Sequence, residues 1–221
     1  MSAPDTAVSA RHNSVLVVRD AVPADYPAIC DVVIAAYRQY AGLIAPDIFS
    51  AYLADLLDLD THARHGRLFV VEADHWVCAF GAWYPDASVQ GVGLPPGWAS
   101  GRALAVHPAA RGNGAARALL ATGECLARQA GAPVLAFHTV SFMTGAMALY
   151  ERLGFCRAPQ FDYDWAARHG GSGAAPISAV AYCRSVHSGL VGAQMPTRSP
   201  GPMPSRSSPW ARASTSRCSS A

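Results

Sequence analysis

The stretch that most constrains the fold runs from Arg102 to Gly131, RALAVHPAARGNGAARALLATGECLARQAG. It begins with a short apolar run that favours a buried strand, and a Gly-Asn-Gly turn follows at residues 112–114. From Ala115 onward the apolar residues recur at helical spacing, which predicts a helix over residues 115–130. A strand, a glycine turn and a helix therefore follow one another directly.

The turn between this strand and this helix has the chemistry of an anion site. Glycine lets the backbone approach a ligand closely, and the first N–H groups of a helix have no intrahelical acceptor and lie at the positive end of its dipole. A pyrophosphate suits such a turn. Arg111 and Arg117 either add contacts to it or are solvated surface charges.

The two common phosphate-binding glycine motifs do not fit these residues. A P-loop would end in Gly-Lys-Ser/Thr, and the chain contains no lysine. A dinucleotide-binding turn would have a third glycine where Arg117 stands. The turn therefore belongs to another kind of site.

The residues do match the Arg/Gln-x-x-Gly-x-Gly/Ala signature of the GNAT acetyltransferase superfamily, as Arg111-Gly112-Asn113-Gly114-Ala115-Ala116. A second segment, Met147 to Phe155, resembles the Ala-x-x-Leu-Tyr-x-x-x-Gly-Phe ending of the last helix in that superfamily. The two motifs lie one strand and one helix apart, as they do in the superfamily. Residues 15–187 are thus identified as resembling a GNAT N-acetyltransferase.

The resemblance implies an α+β fold, in which a mixed, mostly antiparallel sheet of about seven strands carries about four helices. This GNAT-like sheet is splayed between strands 4 and 5, and coenzyme A lies in the split. The sequence patterns predict helices at residues 25–40, 47–59, 115–130 and 145–153. They also predict a loop at residues 85–101, near the acceptor site, and a loose connection at residues 169–175.

Composition divides the chain into a flexible N-terminus (1–14), one acetyltransferase domain (15–187) and a disordered Ser/Pro/Arg-rich tail (188–221). All 15 acidic residues precede the tail, so the basic excess of the chain lies in the tail and no nucleic-acid partner is expected. No apolar run reaches the roughly 18 residues of a membrane span, and no signal peptide is evident. We expect a cytoplasmic protein without a membrane partner; a homodimer is compatible with the sequence.

The resemblance also implies roles for particular residues. Acetyl-CoA would be the acyl donor, and its pyrophosphate would meet the backbone of the turn from Arg111 to Ala116. The pantetheine arm would pair with the strand backbone at Leu104, Ala105 and Val106, and an N–H such as that of Val106 would stabilise the oxyanion. Tyr150 matches the tyrosine that protonates or hydrogen-bonds the departing sulfur.

The general base is not assigned by the sequence. Residues 98–102 contain no carboxylate, although many members of the superfamily have a glutamate there, and Met143 stands where an asparagine is common. Other candidates for the base are His75, Asp86, His107 and His138.

For two further sets of side chains, the sequence allows two interpretations each. Tyr37 and Tyr40 either line the opening of the substrate site or pack in the core, and we favour packing in the core. Four aspartates attract a cationic acceptor or are merely solvated: Asp47, Asp55, Asp58 and Asp86.

The leading hypothesis is an acetyl-CoA-dependent N-acetyltransferase that acts directly on an amine of a small molecule or peptide. The alternative is a regulatory module that binds coenzyme A without turnover, which the missing strand carboxylate would permit. No metal site is predicted, because the cysteines are scattered singly and form no Cys-x-x-Cys pair.

Overall fold

The computed structural model of the chain describes residues 15–169 and 177–186. The predicted flexible N-terminus, nearly all of the predicted loose connection and the predicted tail lie outside the described residues. In the described part, the helices are α1 (Tyr26–Tyr37), α2 (Pro46–Leu56), α3 (Leu59–His65), α4 (Ala115–Gln129), α5 (Thr144–Arg152) and α6 (Trp165–Arg168). The strands are β1 (Leu16–Asp20), β2 (Arg67–Ala73), β3 (Trp76–Tyr84), β4 (Ala99–Val106), β5 (Val134–Val140), β6 (Cys156–Arg157), β7 (Tyr163–Asp164) and β8 (Ser178–Ser185).

The eight strands form one sheet in the order β1-β2-β3-β4-β5-β8-β6, with β7 also paired to β8. All neighbours are antiparallel except β4 and β5, which are parallel. The expected α+β fold with a mixed, mostly antiparallel sheet is confirmed. The extra elements are short: β6 and β7 have two residues each, and α6 has four.

The predicted helix over residues 47–59 corresponds to α2, which ends earlier than predicted, and a further short helix, α3, follows from Leu59. The helix α2 ends at Leu56, and the side chain of Asp58 accepts a hydrogen bond from the backbone N–H of Thr61, 3.2 Å away, to begin α3. Asp58 is therefore an N-cap, which satisfies an otherwise unpaired donor of the new helix. The apolar spacing continues across the break, which is why the pattern did not reveal it.

Strand β4 begins at Ala99, so the last residues of the predicted loop at 85–101 belong to the sheet. Gly101 breaks the apolar signal because this position has no room for a side chain. A Cβ there would lie 2.0 Å from the ring of Trp83 on the neighbouring strand β3.

The sheet splits along the line between β4 and β5. These strands pair only at Ala99↔Leu135 and Ser100↔Ala136. Farther along, β4 pairs with β3 alone, and its register shifts opposite Phe80–Ala82. Ala103, in this bulge, has φ of 54°, a left-handed conformation that is uncommon for a residue other than glycine. The split expected between strands 4 and 5 is present.

Helices cover both faces of the sheet. On one face α1 and α2 pack on β3, and Ile29, Val33 and Phe80 are fully buried there. On the other face α4 and α5 cover a second core that contains Leu119 and Tyr182. In the described part of the chain, no helix is long and apolar enough to cross a membrane.

Trp83 lies between two glycines, and this packing gives a testable prediction. A Cβ at Gly123, inside α4, would lie 2.8 Å from the Trp83 ring. Alanine usually favours a helix over glycine by about 1 kcal/mol, whereas overpacking costs about 1–3 kcal/mol. We therefore expect Gly123→Ala to lower the free energy of unfolding by about 1–2 kcal/mol in urea denaturation.

The matched control is Gly145→Ala in α5, where an added Cβ meets no atom within 4 Å. It is expected to leave stability unchanged or to raise it by up to about 1 kcal/mol. A Gly123→Ala protein as stable as the original would show that Trp83 does not need this space.

Candidate active site

A cavity of about 620 Å³ opens where β4 and β5 separate. One end is lined by the glycine turn before α4, and the middle by the backbone of β4 from Gly101 to Val106. The other end is lined by aromatic side chains from α1, α2 and the segment around α6. The two predicted motifs and the split in the sheet therefore belong to a single site.

The glycine turn exposes backbone donors to this cavity. Gly112 and Gly114 have φ of 83° and 98°, which glycine adopts without strain. The first hydrogen bond of α4 is donated by the Ala118 N–H to the Gly114 carbonyl, at 3.0 Å. The Ala115 N–H donates to the Asn113 side chain, also at 3.0 Å. The N–H groups of Ala116 and Arg117 come before the first intrahelical hydrogen bond of α4. They are therefore available to bind a ligand.

Arg111 holds the turn against the end of α1. Its guanidinium donates to the Gln39 side chain and to the Ala36 carbonyl, both at 3.3 Å. The side chain is exposed, so the remaining N–H groups of the guanidinium are accessible to a bound anion. Arg117 is also exposed, and both arginines line the cavity.

Leu104, Ala105 and Val106 form the wall of the cavity on β4. Ala105 and Val106 pair with β3 on one edge of the strand. The other edge, which faces β5, has no strand partner beyond Ser100. This edge is where an extended chain of amide groups can pair with the backbone. The Tyr37 hydroxyl donates to the Leu104 carbonyl at 3.4 Å, and Tyr37 both packs in the core and lines the cavity.

Tyr150 reaches the cavity from the last full turns of α5. Its ring is 6% exposed and packs on Phe137, with ring centroids 4.4 Å apart. Burial raises the pKa of its hydroxyl well above the ordinary value, so the phenol is protonated at neutral pH. Leu153 and Phe155 donate their N–H groups to the Tyr150 carbonyl, so the Gly-Phe ending of the motif closes the helix behind this tyrosine.

At the far end of the cavity, Arg102 contacts the carboxylate of Asp55, and the His169 ring lies 3.4 Å from the same carboxylate. Burial alone would raise the pKa of Asp55, but the Arg102 guanidinium and His169 hold it well below its usual range. Tyr52 packs edge-on against Trp165 with centroids 4.7 Å apart. We call these five residues the Arg102 cluster.

Sequence reasoning missed most of the Arg102 cluster. Its members come from α2, β4 and the segment around α6, which are far apart in the chain and share no motif. Arg102 was noted only as part of a stretch without a carboxylate. The available signal in the sequence was an arginine within an otherwise uncharged strand, residues 99–106.

The four candidate bases occupy different environments. His75 is exposed in the β2–β3 turn, Asp86 accepts from the Ser88 N–H, and His107 accepts from the Ala109 N–H. His138 alone among the four lines the cavity, where its Nε2 hydrogen-bonds to the Phe161 carbonyl at 2.9 Å. Burial lowers the pKa of His138 to about 4, which makes it a weak base.

The four aspartates considered for a cationic acceptor do not line the cavity. Asp58 and Asp86 cap turns, and Asp55 is paired with Arg102. Asp47 lies in the first turn of α2. Met143, at the position where an asparagine is common, is buried and accepts a weak hydrogen bond from the Thr139 hydroxyl.

Comparison with known proteins agrees with this geometry. The family model described as "Acetyltransferase (GNAT) family" matches residues 33–155, which include both motifs and most of the cavity wall. The chain belongs to this family, and it is an acyltransferase of the N-acetyltransferase type. No curated protein sequence matches it.

Solved structures share its fold at low sequence identity. The PaiA N-acetyltransferase from Thermoplasma acidophilum, in complex with coenzyme A, is 12% identical with a TM-score of 0.57, covering 77% of this chain and 99% of its own. The ribosomal-protein-S18-alanine N-acetyltransferase from Escherichia coli is 16% identical with a TM-score of 0.53, covering 82% and 100%. An N-acetyltransferase from Staphylococcus aureus Mu50 is 19% identical with a TM-score of 0.52, covering 79% and 100%.

Proposed function

We propose that the protein transfers the acetyl group of acetyl-CoA directly to an amine of a small molecule or a peptide. The observation that carries this proposal is the single cavity, which joins the glycine turn, the unpaired edge of β4 and Tyr150. Acetyl-CoA is the acyl donor in this family, and the PaiA neighbour was crystallised with coenzyme A. The arginines at the turn and the backbone along β4, which line this one cavity, suit a long, partly anionic ligand.

The donor would bind mainly through the backbone. Its pyrophosphate would accept hydrogen bonds from the turn between Arg111 and Ala116, at the N-terminus of α4. The amides of its pantetheine arm would pair with Leu104, Ala105 and Val106, as an added strand does at a sheet edge. This arrangement would place the thioester close to Tyr150, because Tyr150 lines the same cavity.

In the reaction, the neutral amine attacks the thioester carbonyl and forms a carbon–nitrogen bond. The carbonyl oxygen gains negative charge, which the N–H of Val106 would stabilise. When the carbon–sulfur bond breaks, the electron pair leaves on the thiolate, and Tyr150 would donate a hydrogen bond to it. The proton lost from the amine balances the negative charge of the thiolate, so the products are an N-acetylated acceptor and the free thiol of coenzyme A.

Binding of the donor is tested by thermal unfolding with and without acetyl-CoA. At about 100 times its dissociation constant, a ligand stabilises the native state by roughly 2.7 kcal/mol, or about 5–10 °C for a domain of this size. We expect this shift in the original protein and its loss in Gly114→Trp, because the indole would occupy the space beside the turn.

The control variant is Gly131→Trp. Gly131 also has a positive φ, of 71°, and also has open space around it, but it lies outside the cavity. Gly131→Trp therefore also places a tryptophan at a positive φ, but away from the site. Acetyl-CoA should still raise the unfolding temperature of this variant. Loss of the shift in both variants, or in neither, would contradict the assigned pyrophosphate site.

A coenzyme A-binding module without turnover would show the same thermal shift. It is distinguished by measuring release of free thiol from acetyl-CoA in the presence of primary amines. The proposed enzyme releases thiol in proportion to acetylated amine, whereas the module releases none. We also propose that residues 15–187 form the whole acetyltransferase domain, so removing residues 188–221 should leave this activity unchanged.

A further inference from the structure

The walls of the cavity are positively charged. Among the described residues, the ionisable side chains other than tyrosines that line it are Arg102, Arg111, Arg117, Arg152, His138 and His169, with no aspartate or glutamate. Arg111 and Arg117 lie at the turn where the phosphates of the donor are proposed to bind. Arg102 lies at the opposite end, where the acceptor would enter. A second anionic group, belonging to the acceptor, would suit this end.

Arg102 has more N–H donors than partners among the described residues. Its guanidinium has five N–H bonds, and in the described part of the chain it contacts one partner, the carboxylate of Asp55, through Nη2. Its Nε is buried and has no hydrogen-bond partner among the described residues. Buried polar groups nearly always have a hydrogen-bond partner, so an unpaired one calls for an explanation in function or in strain. The adjacent Ala103, with its left-handed φ of 54°, is such a strained residue.

Among the described residues, no aspartate or glutamate lines this end of the cavity to receive a cation. The Asp55 carboxylate already faces two partners, Arg102 and the His169 ring. The tyrosines there are neutral at physiological pH, since burial raises the pKa of Tyr37 to about 12 and that of Tyr52 well above its ordinary value. A polycationic amine would therefore meet Arg102 and gain no new ion pair.

We propose that the acceptor is an amino acid, a primary amine that also carries a carboxylate, and that Arg102 binds this carboxylate. This inference rests on the proposed acetyl transfer and names its substrate class. A guanidinium pairs with a carboxylate through two parallel hydrogen bonds, which gives orientation as well as affinity. Arg102 is two residues before Leu104 on β4 and lines the same cavity, so a carboxylate held by Arg102 would leave a nearby amine within the cavity that holds the thioester.

The aromatic walls fit the remainder of such a molecule. Tyr52, Tyr163 and Trp165 line the same end of the cavity, and the Tyr52 and Trp165 rings are nearly perpendicular at 86°. Aromatic rings bury apolar carbon, and their hydroxyl groups keep polar contacts at the edges. The site therefore favours an amino acid with an apolar or aromatic side chain over a small polar one.

The first experiment uses the unaltered full chain. Acetylation rates are measured for the 20 standard amino acids, for the amide of each, and for the matching amine that lacks the carboxyl group, all at saturating acetyl-CoA. We expect at least one acid with kcat/KM about 100-fold or more above that of its own amide. Amides or simple amines that react as fast as the acids would overturn the inference while leaving the acetyltransferase function intact.

Substitutions at Arg102 provide the second experiment. Arg102→Gln is expected to reduce kcat/KM for the preferred acid about 100-fold or more, mainly through KM, and to remove the preference for acid over amide. The KM for acetyl-CoA should not change. The double variant Arg102→Gln with Asp55→Asn removes both charges together, so it avoids leaving a buried carboxylate unpaired, and it should show the same loss of preference.

The matched control is Arg157→Gln. Arg157 is also a partly buried arginine with a carboxylate partner, Asp162, at 2.7 Å, but it does not line the cavity. Its variant should keep the preference for the acid. If the acid is still preferred in both Arg102 variants, the proposal is wrong. If the protein is stabilised by acetyl-CoA and yet acetylates none of the amino acids, the acceptor class is also wrong; if acetyl-CoA has no effect, the proposed function itself fails.

Discussion

Replacing Tyr150 by phenylalanine is expected to lower kcat for acetyl transfer about 10²- to 10³-fold, with little change in the affinity for acetyl-CoA. The substitution removes one oxygen atom and keeps the ring, which packs against Phe137 and Phe155. Because the departing thiolate gains full charge only as the carbon–sulfur bond breaks, a donor aimed at it stabilises the transition state more than the bound substrate. Steady-state kinetics at saturating acceptor would measure the effect.

The control is Tyr182→Phe. The Tyr182 ring is fully buried in the same cluster, with its centroid 5.6 Å from that of Tyr150. Its hydroxyl donates to the Glu151 carboxylate at 2.8 Å and lies outside the cavity wall. This variant should lose some stability and keep its kcat. A Tyr150→Phe protein with unchanged kcat would exclude Tyr150 as the donor to the leaving sulfur.

The second prediction concerns stability in mild acid, which two buried histidines are expected to limit. Burial, reinforced by the positive charge of Arg102, lowers the pKa of His62 to about 4, and burial lowers the pKa of His138 to about 4 as well. In the unfolded chain both would titrate near the ordinary value of about 6.5. Between pH 6.5 and pH 4 the unfolded state therefore binds two protons that the folded state does not, and stability falls as the pH falls.

The size of this effect is large for a single domain. Each histidine is expected to contribute a loss of roughly 3 kcal/mol by pH 4, at about 1.4 kcal/mol per pH unit below 6.5. Together they would remove about 6 kcal/mol, which is a large part of the 5–15 kcal/mol by which domains are usually stable. Urea denaturation at a series of pH values would measure the slope, and full stability is expected above about pH 7.

Single substitutions can show how much each histidine contributes to the change of the free energy of unfolding with pH. His62 hydrogen-bonds the Tyr84 hydroxyl at 2.6 Å and faces the charges of Arg102, Asp55 and Asp58. His62→Gln should remove about half of the pH dependence, and His138→Gln the other half. His75→Gln, at an exposed turn, should leave it unchanged. A free energy of unfolding that stays constant from pH 6.5 to 4.5 would contradict both assignments.

Short-range patterns in the sequence were sufficient to predict the two helices that flank the proposed donor site. The helix predicted over residues 115–130 is α4, Ala115–Gln129, and the helix predicted over residues 145–153 is α5, Thr144–Arg152. Each has apolar residues at helical spacing and is followed within two residues by a glycine, and both are local signals. The turn and Tyr150 could be proposed as site residues for the same reason, because each belongs to a motif confined to a few neighbouring residues.

Local patterns were less informative where tertiary contacts decide the structure. The break between α2 and α3 depends on a cap, and the start of β4 depends on a glycine that makes room for a tryptophan on the next strand. The apolar spacing carries neither fact. The sequence also could not decide between the two roles suggested for the aspartates. The sequence pattern of a helix is the same whether its carboxylate is solvated or paired.

By itself, the sequence of this protein determined the family, the mixed sheet and the turn that would hold the donor. Only the tertiary structure brought together the residues that we propose face the acceptor. The Arg102 cluster is assembled from three segments, with Asp55 and His169 separated by 114 positions along the chain. Their pairing depends on how α2 and the segment around α6 pack on the split sheet. Such long-range packing leaves no periodic trace in the sequence, because the energy of each contact depends on partners that the fold brings together.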